Sequence, residues 1–256
     1  MTEYKTVLLA REGHVATVTL NRPEEGNTIN AAMAEELGAV WAELARDEQV
    51  WAIVLAGSGA NFCLGADSND GSALRFTSMD FSVGKPVIAA IAGLCGGAAL
   101  AFVADSDIVI SSSGATFCDG RTTQGQVSTQ GTLRLARKMP LEAVMRMALL
   151  GEAEKLQAPR AFQLGMVSEL VDGDVVARAQ ELAASLAVNS PSAMFHSRHA
   201  VWESLNMGLE DAMEYGFAFV TKFAHKFDDA KEGARAFMEK RAPAWKYAPP
   251  PSQNDD

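Results

Sequence analysis

Residues 85–100 read KPVIAAIAGLCGGAAL. Pro86–Ala92 is a short apolar run with valine and isoleucine, which suits a strand buried on both faces. It runs into the pair Gly96-Gly97, and the small residues Ala98–Ala104 then carry a helical pattern. A second stretch, NFCLGAD at 61–67, has the same arrangement. It follows the apolar run Ala52–Leu55 and the turn Gly57-Ser58-Gly59, and its own Gly65-Ala66 precedes an expected helix. Small residues let backbone approach a ligand closely, and the first turn of a helix presents unpartnered N–H groups with a partial positive charge. Two such turns brought together can hold a carbonyl oxygen that becomes negative during reaction, an oxyanion hole. Taken singly, each is as readily explained by close packing.

Outward from these turns, strands alternate with helices. Tyr4–Leu9 and Val15–Leu20 alternate apolar and polar residues around Glu12-Gly13 and predict a hairpin. Asn30–Arg46 has apolar residues at helical spacing, with Asn30 placed as an N-cap. Ile108–Ser111 and Thr116–Cys118 read as short strands. From about Leu141 the pattern is helical as far as Arg241, broken by an apolar stretch at Met166–Val171. The expected organisation is an α/β core over 1–195, a helical C-terminal segment over 196–246 and a disordered Pro-rich acidic tail over 247–256. Trp41 and Trp51 fall in predicted elements and are assigned to the core.

The chain has 256 residues and a formal net charge of -10, which argues against a nucleic-acid partner because phosphate binding needs a basic footprint. Its 48% hydrophobic content includes no apolar run long enough to cross a bilayer, and charges at Lys5 and Arg11 interrupt any leader-like pattern at the start. The three cysteines, Cys63, Cys95 and Cys118, have no CxxC spacing, so a reducing cytoplasm and no metal cluster are expected. P-loop, dinucleotide-fold, HExxH and G-x-S-x-G motifs are absent. His196 and His199 lie three apart on a predicted helix and, without a third ligand, read as surface or capping residues.

The ordered set LNRPEEGNTINAAM, WAIVLAGSG, NFCLGAD, KPVIAAIAG, CGGAALAFVADSDIVI, GATF, LGMVSELV and FDDAKEGARAFMEKRAPAW resembles the crotonase (enoyl-CoA hydratase/isomerase) family over nearly the whole chain, as far as Trp245. The resemblance implies a crotonase-like spiral of ββα units with a helical C-terminal trimerisation region, assembled as a homo-trimer or a dimer of trimers. It implies a coenzyme A thioester as substrate, with no covalently bound cofactor, no metal and no membrane partner. By position, the two oxyanion-hole donors fall on the N–H groups of Ala66 and Ala98. Gly65, Asp67 and Gly97 flank them, and Arg22 and Lys240 match segments that contact the nucleotide end of coenzyme A. A solvated charged face is the alternative for the C-terminal lysines.

The chain departs from the family where a hydratase carries its two glutamates, which deprotonate water and deliver a proton to the α-carbon. Counting from Asp107 and from Phe117, those positions fall on Ala101 and Arg121. Asp119 is the remaining acid/base candidate. A salt bridge to Arg121 is the competing role, and Arg121 and Thr129 fall at the substrate pocket. The span Ser68–Gly84 is also shorter than the resemblance implies, which reshapes the acyl pocket. Three readings stay open: an acyl-CoA enzyme with a rearranged base, working as an isomerase, lyase or hydrolase; a catalytically silent acyl-CoA binder; and a structural subunit of a mixed trimer.

Overall fold

The computed structural model describes residues 4–67 and 75–247. β1 (Val7–Glu12) and β2 (Val15–Leu20) form the expected antiparallel hairpin, closing at Gly13 with φ +54°. β1 starts later than the alternation of Tyr4–Leu9 suggests and runs on to Glu12, because pairing with β2 continues to Glu12↔Val15. α1 (Ala31–Arg46) follows, and the Asn30 side chain accepts the Met33 N–H at 2.9 Å. Its buried face, Met33, Leu37, Val40, Trp41 and Leu44, has the spacing read from the sequence.

Next come β3 (Ala52–Gly57) and β4 (Val87–Ile91). β4 passes through Gly93, at φ +61°, into the short β5 (Leu94–Gly96), a 3-10 turn Gly97–Ala99 and α2 (Leu100–Asp105). β6 (Ile108–Ser112), β7 (Thr116–Cys118) and the short α3 (Thr132–Leu135) repeat that pattern. After α4 (Leu141–Leu150) come β8 (Lys155–Gln157), α5 (Ala158–Gln163) and β9 (Glu169–Val171). The long strands form one sheet in the order β1-β2-β3-β4-β6-β9, parallel from β2 onward, and β5-β7-β8 form a second. Two successive units, β4-β5-α2 and β6-β7-α3, thus each give a long strand to the first sheet, a short one to the second, and then a helix.

The apolar runs of β3 and β4 follow from burial on both faces. One face packs with α1, and the other is covered by α6 (Val175–Leu186) through Val175, Ala179 and Ala183 against Val54, Ala56, Ile88 and Ala90. Two lysines, Lys85 buried and Lys138 half-buried, finish helix C-termini, where a cation meets unpaired carbonyls. Lys85 Nζ donates to Leu44 O and Asp47 O at the end of α1. Lys138 Nζ donates to Val103 O and Ser106 O at the end of α2. Burial pulls each ammonium down to about 8. Asp107, between α2 and β6, accepts from Val87 N–H, Arg198 and Trp202, so its role is structural.

α7 (Pro191–Ser204), α8 (Leu209–Lys226) and α9 (Asp229–Glu239) complete the chain, and α7 runs through the expected boundary at 195/196. The expected tail, beyond Tyr247, lies outside the described residues, as do the helix expected directly after Asp67 and positions 68–74 of the shortened span. Trp41 is fully buried and donates to Phe76 O. Trp51 instead is half-buried and stacks on His14 at 3.6 Å, because it precedes β3 at the sheet's margin.

His196 is a second correction. It is buried among Phe195, Phe219, Phe223 and Phe227, and among the described residues neither ring nitrogen has a hydrogen-bond partner. Its place is set by α8 closing over α7, which helical periodicity in α7 alone does not reveal. Burial, with His199 nearby, lowers its pKa. The folded state therefore favours neutral imidazole, so its contribution is present above the unfolded value and is lost as pH falls through the folded one. Urea midpoints should drop between pH 7.5 and pH 5, and the His196→Phe variant should show a smaller drop.

Candidate active site

The glycine turns read from the sequence meet. A Cβ placed on Gly65, whose φ is +123°, would lie 3.2 Å from Gly96 O and 3.5 Å from Ala98 N. The two segments are bound by Cys63 N–H to Leu94 O at 3.2 Å and Gly96 N–H to Cys63 O at 2.9 Å. On the far side, Ile29 N–H donates to Gly65 O and Asp67 N–H to Ile29 O, each at 2.8 Å, making an isolated parallel bridge between Ile29 and Ala66. In such a bridge the N–H of Ala66 points away from Ile29. Ala98 is the second residue of its 3-10 turn, where an N–H has no intrahelical acceptor.

Both alanines line one cavity of about 610 Å³, together with Gly65, Asp67, Gly97 and Arg121. Polar residues line it as well: Gln124, Gln126, Glu152 and Lys155. The sequence reading therefore placed Gly65, Ala66, Asp67, Gly97, Ala98 and Arg121 in one space, and it missed Glu152 and Lys155. These two come from the turn Gly151–Ala153 and from β8, which has a single buried residue, Leu156, to announce it.

Asp119 does not line this cavity. Its side chain has no exposed surface, and both oxygens are held by Arg121, Nε at 2.8 Å and Nη2 at 2.7 Å, with a further bond from Ser128 Oγ. The placement corrects the acid/base expectation in favour of the salt bridge. β7 ends at Cys118 and Arg121 turns into the helical region, so strand alternation does not reach the pair, and the ion pair closes over the carboxylate. Thr129 is exposed, and its carbonyl accepts from Leu133 N–H and Thr132 Oγ1 at 3.2 Å, so it caps α3 outside the cavity. Arg22 is tied to Thr28 through its guanidinium, and Lys240 caps α9 in the left-handed region at φ +53°. Neither reaches the cavity. Asp105 pairs with Arg134 and Thr77 at the far end of α2.

The cysteines are free thiols, all buried. Burial pushes Cys63 up to about 12 and Cys95 and Cys118 upward as well, so none is poised as a thiolate nucleophile. Among the described residues no cluster of three His, Cys, Asp or Glu could hold a metal, and no helix is long and apolar enough to cross a membrane.

The sequence profile of the enoyl-CoA hydratase/isomerase family matches residues 10–248. The chain belongs to this family. Curated members similar to it include the mevalonyl-coenzyme A hydratase of Aspergillus fumigatus, 32% identical with 91% of this chain and 92% of that protein covered. The (E)-benzylidenesuccinyl-CoA hydratase of Thauera aromatica is 31% identical, with 94% and 99% covered. Among solved structures, an enoyl-CoA hydratase/isomerase from Mycobacterium paratuberculosis superposes with a TM-score of 0.89 at 37% identity, covering 95% of this chain and 99% of that one. The crotonase-like α/β fold with its helical C-terminal region is thus the fold of this enoyl-CoA hydratase/isomerase family member.

Proposed function

We propose that the cavity binds a coenzyme A thioester and that the Ala66 and Ala98 N–H groups hold its carbonyl oxygen while the acyl group passes through an enolate. The observation that carries this is the approach of Gly65 to Gly96 and Ala98, which brings to one cavity the backbone N–H groups of Ala66 and Ala98, for which no acceptor is found among the described residues. Family membership supports the thioester. Polar residues lining the cavity, together with relatives named for mevalonyl-CoA and benzylidenesuccinyl-CoA, favour an acyl group carrying polar substituents.

The reaction we assign is an isomerase, lyase or hydrolase step and not hydration by two carboxylates. Ala101 is buried on α2 and Arg121 is engaged by Asp119, so neither position supplies a carboxylate. The same facts favour the second reading, a catalytically silent acyl-CoA binder. Asp119 is assigned to fixing Arg121. Arg22 and Lys240 remain candidates for the nucleotide end of the ligand, outside this cavity.

A trimer or dimer of trimers in the cytoplasm completes the proposal. It is supported by the three free cysteines and by an apolar groove of about 660 Å³ between α7 and α8, rimmed by the exposed Met213, Phe217 and Val220.

The test is to mix the protein with crotonyl-CoA, follow the enoyl-thioester absorbance, and titrate crotonyl-CoA and free coenzyme A by calorimetry. Binding should be accompanied by hydration about 10²–10⁴-fold slower than an ordinary hydratase, the usual worth of a missing acid/base group. Failure to bind either ligand would overturn the thioester assignment. Hydration at an ordinary rate would overturn the atypical chemistry.

A further inference from the structure

We propose that Glu152 is the acid/base of this site, a carboxylate supplied from the other side of the small sheet to the place that Arg121 leaves without one. The inference rests on the thioester reading above. β7 and β8 are antiparallel, with Thr116↔Gln157, Phe117↔Leu156 and Cys118↔Lys155 in register. Beyond this pairing Arg121 opens the turn Thr122–Gln124 and Glu152 lies in the turn Gly151–Ala153, and the two turns pack against each other. The segments do stay together there. A Cβ on Gly120 would lie 3.1 Å from both Cγ and Oε1 of Glu152, which puts the glutamate side chain directly over the Gly120 backbone.

The backbone that carries Glu152 is fixed. Its N–H donates to Thr123 Oγ1 at 3.0 Å, and Gly151 before it has φ +59°, with Thr123 Oγ1 only 2.1 Å from where a Cβ would sit. Glycine at 120 and at 151 lets the two loops close on each other, and Glu152 lines the cavity beside them. That cavity is the one lined by Ala66 and Ala98. Unlike Asp119, Glu152 is solvent-exposed, and among the described residues it has no cation within salt-bridge distance. Its carboxylate is therefore not committed to an ion pair among the described residues.

The step balances without a co-reactant. A carboxylate oxygen of Glu152 takes a proton from the acyl α-carbon. The C–H electron pair becomes the new carbon–carbon double bond, and the carbonyl π pair moves to the oxygen held by the Ala66 and Ala98 N–H groups. The protonated Glu152 then returns a proton to the α-carbon, or to the γ-carbon of an enoyl group, which moves the double bond.

Proton exchange isolates this step from whatever overall reaction the protein performs. Butyryl-CoA is incubated with the protein in D₂O, and deuterium at the α-carbon is followed by mass spectrometry, beside calorimetric Kd values. The wild type should exchange. Glu152→Gln should lower the exchange rate by about 10²–10⁴-fold with Kd changed less than threefold, a split that a packing role would not give. Glu152→Asp should recover part of the rate. Unchanged exchange in Glu152→Gln, or no exchange by a wild type that binds butyryl-CoA, would overturn the role of Glu152 and leave the binding reading standing. Absence of binding by the wild type would overturn the thioester reading, and the role of Glu152 with it.

Discussion

Replacing Asp119 by alanine should destabilise the protein by about 3–5 kcal/mol, the usual cost of stranding one partner of a buried ion pair. Arg121 keeps 11% of its side chain exposed and Asp119 none, so water cannot take over the lost interactions. The guanidinium would lose both charge-assisted bonds, and Ser128 Oγ would lose its acceptor. The loop between β7 and α3 should loosen with it, because Arg121 also donates to Gln130 O at 3.2 Å. Urea unfolding at pH 7 measures the cost. The paired variant Asp119→Leu with Arg121→Met removes both charges and should recover most of the stability, since an apolar pair of similar volume often does as well. A single-variant cost below about 1 kcal/mol would mean that the pair behaves like an exposed one.

The largest catalytic effect is expected from Ala66→Pro. Proline removes the backbone N–H, which among the described residues takes no part in tying this segment to Ile29, since those bonds run through Gly65 O and Asp67 N–H. Loss of one oxyanion donor lowers rates by about 10²–10³-fold. The α-exchange of butyryl-CoA should fall by that factor, while the affinity for free coenzyme A stays close to that of the wild type. Ala66→Gly keeps the N–H and should retain most of the rate. Equal rates in both variants would remove Ala66 from the oxyanion hole.

What the sequence made legible was whatever local pattern determines. The apolar runs of β3 and β4 could belong only to a sheet covered on both faces. Gly96-Gly97 and Gly65 marked places where backbone must come close to backbone, and the structure shows that they meet each other. Asn30 and the spacing of α1 were equally plain. What escaped depends on pairing between distant segments. β8 is three residues long with one buried side chain, so nothing local says that it returns beside β7, and without that pairing Glu152 is an ordinary surface glutamate. His196 was missed for a related reason, because the aromatic residues that enclose it come largely from another helix. Asp119 and Arg121 were legible as neighbours in the chain, but which of the two would face the cavity was decided by burial.

The grip on the thioester, as we read it, is written in main-chain amides, whereas the chemistry is written in side chains at 101, 121 and 152. These are separate inheritances. None of the three side chains takes part in the backbone hydrogen bonds that join Cys63, Leu94 and Gly96. A scaffold organised this way can change its reaction while keeping its ligand, and it offers protein engineers three addresses at which to install a new one.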